Sequence, residues 1–72
     1  MMSVLKVYKT YIDEASATIT YIGKASTSAL TSNAVWQIMK MEISGSITTI
    51  TYADGDSEFN NIWDNRASLS YS

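Results

Sequence analysis

The chain contains no cysteine, no histidine and no proline, and only three glycines. Without cysteine there can be no disulfide and no thiolate metal site. Without histidine the commonest zinc ligand and the commonest general base are both missing. Charged side chains make up 17% of the residues and the net charge is −2, against roughly 25% charged in an ordinary globular chain. The basic residues Lys6, Lys9, Lys24, Lys40 and Arg66 are scattered. A nucleic-acid binder needs them clustered to displace counterions, so nucleic acid is not an expected partner. No apolar run approaches the ~20 residues of a membrane-spanning helix. The opening Met1-Met2-Ser3-Val4-Leu5-Lys6 lacks a basic segment followed by an apolar run, so neither export by a signal peptide nor membrane insertion is expected. A cysteine-free chain suits a reducing cytosol and equally a particle that persists outside a cell.

What is present favours strands. Thr, Tyr, Ile and Val are frequent, and these β-branched and aromatic residues suit a pleated surface. With 72 residues the chain is expected to form one domain, residues 1–72. A domain of this size buries only ~60% of its unfolded surface. Such scaffolds usually draw extra stability from disulfides, metals or oligomerisation. The first two lack their ligands here, which leaves partner chains, and a homo-oligomer is expected.

Val4 to Ile12 reads as a strand of imperfect alternation, suited to a sheet edge, and Asp13-Glu14-Ala15-Ser16 as a turn. Ala17 to Ala25 reads as a second strand, with Ile19 and Tyr21 on one face and Thr18, Thr20 and Ile22 on the other. Within it Gly23 marks a bulge or a close approach of another group to the backbone. Ser26 to Asn33 is a small-residue loop. Ala34 to Ser44 is the longest expected element. Val35, Met39, Met41 and Ile43 fall on one side, with Gln37 interrupting them. Trp36 and Ile38, then Lys40 and Glu42, fall on the other. Ser44-Gly45-Ser46 is a hairpin turn into a return strand over Ile47 to Ala53. Asp54-Gly55-Asp56 carries turn chemistry. Asp56 or Ser57 can cap a short helix, and Phe59, Ile62, Trp63 and Arg66 follow at helical spacing. A helical turn is therefore expected over residues 57–65. Ala67 to Tyr71 alternates again as a short final strand. Val4–Ile12 and Ala67–Tyr71 are the candidate exposed sheet edges. The expected core is Trp36, Ile38, Ile50, Tyr52, Phe59, Ile62, Trp63 and Leu69.

The residues that carry chemistry elsewhere have plainer readings here. Asp54, Asp56 and Glu58 alternate like the start of a calcium loop. That pattern needs Asp or Asn fifth, Gly sixth and a bidentate Glu twelfth. Those positions hold Glu58, Phe59 and Asn65, so a structural turn is preferred to a cation site. Arg66 can pair with Asp64, stack on Trp63 or Tyr52, or clamp a neighbouring subunit's carboxylate. Trp36 and Trp63 with Tyr8, Tyr11, Tyr21, Tyr52 and Tyr71 suggest a carbohydrate platform. In so short a chain, however, large aromatics are first needed to fill the core and an interface. Ser and Thr abound without an evident base. The carboxylates Asp13, Glu14, Glu42, Asp54, Asp56, Glu58 and Asp64 lie mostly in or beside turns, where solvation is the default. The reading is of a protein that is not an enzyme. It assigns no catalytic residue, no cofactor-binding residue and no metal ligand, and no cofactor or small-molecule substrate is expected.

Four blocks carry a resemblance: Tyr21-Ile-Gly-Lys-Ala25, Ala34-Val-Trp-Gln-Ile38, Tyr52-Ala-Asp-Gly-Asp56 and Trp63-Asp-Asn-Arg-Ala-Ser-Leu-Ser-Tyr71. In order and spacing the chain resembles small proteins encoded in the structural-gene clusters of tailed bacteriophages, over about residues 14–72. The resemblance implies a virion component: a capsid decoration, head fibre, connector or tail accessory protein. Such a protein is made in the host cytoplasm and contacts other virion proteins. The resemblance carries no catalytic residue across. The combined expectation is an all-β domain whose small antiparallel sheet curls into a barrel or sandwich, with the helical turn near residues 57–65. It would act as a non-enzymatic virion structural protein through multivalent protein–protein contacts. The alternatives are a surface-displayed receptor- or glycan-binding module and a small enzyme or inhibitor acting in the host.

Overall fold

The computed structural model describes residues 7–72, and Val4 to Lys6 of the first expected strand lie outside them. The chain is an antiparallel meander. β1 (Tyr8–Glu14), β2 (Ile19–Ser26), β3 (Ala34–Ser44) and β4 (Ile47–Tyr52) lie side by side in sequence order. β5 (Asn61–Ile62) pairs with β3 at Ala34 and Trp36, and a 3₁₀ helix over Trp63–Ser68 follows it directly. All-β is therefore the fold class. The expected closure is absent: among the described residues β1 pairs only with β2, and the sheet is open rather than curled into a barrel or sandwich. Eight-residue β2 and eleven-residue β3 give the sheet its length.

Local chemistry explains the connections. The turn between β1 and β2 falls later than expected, because Asp13 and Glu14 still pair with Tyr21 and Thr20. There the Ser16 hydroxyl accepts the backbone N–H groups of Thr18 and Ile19, a side chain standing in for a turn carbonyl. At the hairpin tip Ser44 pairs with Ile47 across Gly45-Ser46. Gly45 has φ +62°, the left-handed first position of a type II′ turn, whose twist matches the flanking strands. Asp54 and Gly55 both have positive φ, +60° and +71°, the pattern of an Asp-Gly type I′ turn.

The helical turn expected over residues 57–65 is displaced toward the C-terminus. β4 and β5 act as one strand along β3, interrupted by an excursion over residues 54–60. Ala53 N–H still bonds the Ile38 carbonyl, and Asn61 resumes the pairing at Trp36. Backbone pairing with β3 takes Asn61 and Ile62 before any helix can start. The helix carbonyls are then satisfied by side chains. Arg66 donates to the Trp63 carbonyl at 3.1 Å, Ser68 to Asn65 at 2.9 Å and Tyr71 to Arg66 at 2.7 Å. The final strand expected over Ala67–Tyr71 is correspondingly lost. Ala67 and Ser68 belong to the helix, and Tyr71 makes a single bridge to Ala53.

The core lies on one face of the sheet, under the 3₁₀ helix. Trp36, Ile38, Trp63, Tyr21, Ala25, Ala29 and Ala53 form it. Its centre is a cluster of planar groups packed at tilted and edge-on angles. The two indoles lie 5.6 Å apart. Tyr11 sits 5.0 Å from Trp36 and 5.8 Å from Trp63. The Arg66 guanidinium covers Trp63 at 4.6 Å and bonds Asp13 at 2.9 Å. Alanines flank this cluster because bulky neighbours would hold the indoles off the sheet. Gly23 lies against the same rings. A methyl group there would overlap the six-membered ring of Trp63 and come within 3.1 Å of Trp36, so the close-approach reading holds. The one buried polar side chain among the described residues, Asn61, donates to the Trp36 carbonyl at 3.3 Å.

Candidate interaction surface

The opposite face of the sheet is uncovered over most of its area. Strand alternation and register together define what it presents. Ile12 pairs with Ile22, Ile22 with Met39 and Met39 with Tyr52, giving one apolar row across all four long strands. The next row is Glu14, Thr20, Met41 and Ile50, and beyond it lie Ile43 and Thr48. Toward the other end come Thr10, Lys24 and Gln37. There the excursion folds over the corner: Phe59 stacks on Tyr8 at 5.5 Å, and Gln37 donates to the Ser57 carbonyl at 3.0 Å. The remainder is open among the described residues. Ile12 is 66% exposed, Ile50 54% and Ile43 41%, while Ile22, Met39, Met41 and Tyr52 are half-buried by their neighbours. The exposed apolar residues of this face are contiguous, and its methionines are unbranched and adaptable side chains.

This face corrects the expected core. Ile50 belongs to it and is exposed, as is Phe59 at 39%. Tyr52, Ile62 and Leu69 are only partly buried, whereas Trp36, Ile38 and Trp63 are buried as expected. Both faces of the sheet are rich in apolar residues, and among the described residues only one acquires a second layer. The buried positions that pattern reading missed are Tyr21, Ala25, Ala29, Ala53 and Asn61. Alanine and asparagine carry no burial signal in a local window. Tyr21 was legible through its alternation with Ile19.

The sheet edges form the second part of the surface. β1 is an edge, in agreement with the N-terminal candidate. The C-terminal candidate is not an edge strand. Residues 70–72 instead cover the end of β4: Tyr52 and Ser72 exchange backbone hydrogen bonds of 3.2 and 3.1 Å, and Asp54 N–H bonds Ser70 at 2.7 Å. In a two-residue hairpin the pair flanking the turn is mutually hydrogen-bonded. Alternation from Ile47 then directs the peptide groups of Thr48 and Ile50 outward, as it does those of Tyr52, which Ser72 takes up. Among the described residues those of Thr48 and Ile50 meet no partner strand.

The residues weighed for chemistry make the following contacts. Asp56 accepts the Glu58 N–H at 3.0 Å, and among the described residues no cluster of three or more His, Cys, Asp or Glu could hold a metal ion. Arg66 stacks on Trp63 and pairs with Asp13, not with Asp64. Lys9 donates to the Ala29 carbonyl and lies 5.3 Å over Tyr11. Burial pushes the Tyr71 phenol up to about 12. Tyr21 and Asp54 add to that rise and Arg66 opposes it. No concave pocket occurs among the described residues. No known protein family, curated protein or solved structure matches the chain.

Proposed function

We propose that this chain is a non-enzymatic structural protein of a bacteriophage virion, a head decoration or fibre, a connector or a tail accessory, working through multivalent protein–protein contacts. The observation that carries the contact part of this reading is the open apolar face centred on Ile12, Ile22 and Met39. A sheet is apolar on a face in order to bury it against another layer. Here, among the described residues, one face has its layer and the other has none. The unpaired outer edge of β4 adds a template for strand addition. The two indoles, Trp36 and Trp63, are buried in the core rather than displayed, which favours assembly over glycan recognition.

The virion part rests on the four sequence blocks. They supply the core: Tyr21 and Ala25, Trp36 and Ile38, Ala53, and Trp63 with Tyr71 packed beside it. On this reading the chain is made in the host cytoplasm and incorporated into the particle. The test is quantitative mass spectrometry of gradient-purified particles, from a lysate in which the chain is expressed at its natural level. Recovery in the particle fraction, in fixed ratio to the major structural proteins, is the expected result. A chain that stays in the soluble fraction, away from particles, would sink the proposal.

A further inference from the structure

We infer that the occupant of the open face is a second copy of this chain, packed face to face so that two open sheets close into one sandwich. The inference rests on the contact reading above and names the partner for that site. Its first support is charge. Among the described residues only two strand residues on this face are charged, Glu14 in the row of Met41 and Lys24 in the row of Gln37, on opposite sides of the Ile12–Ile22–Met39–Tyr52 row. A two-fold axis lying between the sheets, perpendicular to the strands and through that row, reverses strand direction from one copy to the other. It sets each Lys24 level with the other copy's Glu14, and the central apolar row packs against itself. An axis parallel to the strands would set like charges level. The self-complementary arrangement is therefore the strand-reversing one, and it is isologous, the commonest closed symmetry.

The second support is area. The strands are staggered, β1 and β4 sharing only the levels of Ile12–Glu14, so on this axis about two dozen strand positions of each copy overlap; at ~4.8 Å between strands and ~3.3 Å per residue the flat footprint is roughly 380 Å² per copy. A corrugated side-chain surface exceeds its flat projection, so two copies bury roughly 1,000 Å² in total, the threshold of a specific interface. Sheets packed this way sit ~10 Å apart. At that separation Lys24, which lies 4.9 Å over the Tyr8 ring, and the facing carboxylate are within side-chain reach.

The experiment is sedimentation equilibrium on the full chain and two charge reversals, K24E and E14K, with circular dichroism to check the fold of each. The wild type is expected to dimerise. Each reversal sets like charges against each other at two symmetric contacts and should raise the dimer Kd about tenfold. Mixing the two variants should restore wild-type affinity, because the heterodimer matches opposite charges at both contacts. Loss of monomer stability cannot produce that rescue. Ile12→Asp should abolish association while leaving the monomer's spectrum unchanged. A wild-type chain that stays monomeric to millimolar concentration overturns the inference, as does a dimer that ignores both reversals or a mixture that shows no rescue. A monomer that is still incorporated into particles rejects the second copy and leaves the virion reading intact. A dimer missing from particles does the reverse.

Discussion

Gly23→Ala separates tertiary packing from local propensity because the two demand opposite signs. Gly23 lies mid-strand in β2, paired with Tyr11 on one side and Ile38 on the other. On backbone grounds alone, alanine in a strand interior is worth ~0.5–1 kcal/mol over glycine. In this fold the added methyl overlaps the Trp63 ring and comes within 3.1 Å of Trp36. The ring has little room to move: Trp36 and Tyr11 pack on it, and the Arg66 guanidinium covers it at 4.6 Å. Overpacking of this kind costs about 1–3 kcal/mol. The steric term wins, and the net effect is about 2 kcal/mol of destabilisation in the upper part of that range. In so small a domain this lowers Tm by roughly 10 °C. Urea unfolding followed by tryptophan fluorescence reports it directly, since both indoles sit at the perturbed site. In a Trp63→Leu background the obstacle is gone and Gly23→Ala should turn neutral or stabilising, a reversal that a double-mutant cycle reads as coupling. A Gly23→Ala protein as stable as wild type, or a penalty that persists without the indole, would refute the packing argument.

The remaining expectations follow from the same core and its rim. Trp63→Ala should cost about 3–5 kcal/mol, enough to unfold much of a domain this small. A wild-type melting temperature in that variant would remove Trp63 from the core. Stability should fall as pH rises from about 10 to about 12. The raised Tyr71 pKa keeps the phenol neutral in the fold while the unfolded chain ionises first, so the stabilisation is complete below 10 and is lost through 12. Tyr71→Phe should flatten that slope, and an unchanged pH profile in thermal melts would exclude Tyr71 as its source. Asp13→Asn should cost less than ~1 kcal/mol, because its pair with Arg66 is partly solvated. A substantially larger loss in chemical denaturation would mean that the carboxylate holds Arg66 in place over Trp63.

The elements that local chemistry controls were legible in the sequence. β3 spans Ala34–Ser44 as its pattern indicates, Gly45 makes the hairpin, and Asp54-Gly55 turns the chain. Trp36, Ile38 and Trp63 announce themselves as core by size and alternation. The strand preference of the whole chain follows from its Thr, Tyr, Ile and Val content. Helical spacing over Phe59, Ile62 and Trp63 was real but outcompeted. The unsatisfied edge of β3 offered Asn61 and Ile62 backbone partners, and a helix could begin only after they were used. Which apolar face becomes the core was a tertiary decision. Ile38 and Ile50 look alike in a strand pattern, yet one lies under the indoles and the other faces solvent. The difference arises because the Trp63–Arg66 segment can cover only one side of the sheet. Arg66 found Asp13 rather than Asp64 for a related reason: the fold brings β1 beside the 3₁₀ helix, across 53 residues of chain. The sequence by itself determined strands, turns and the aromatic nucleus, because those depend on near neighbours and side-chain size. Only the tertiary structure decided that the sheet stays open and which face it leaves bare, because that depends on how far a short C-terminal segment can reach.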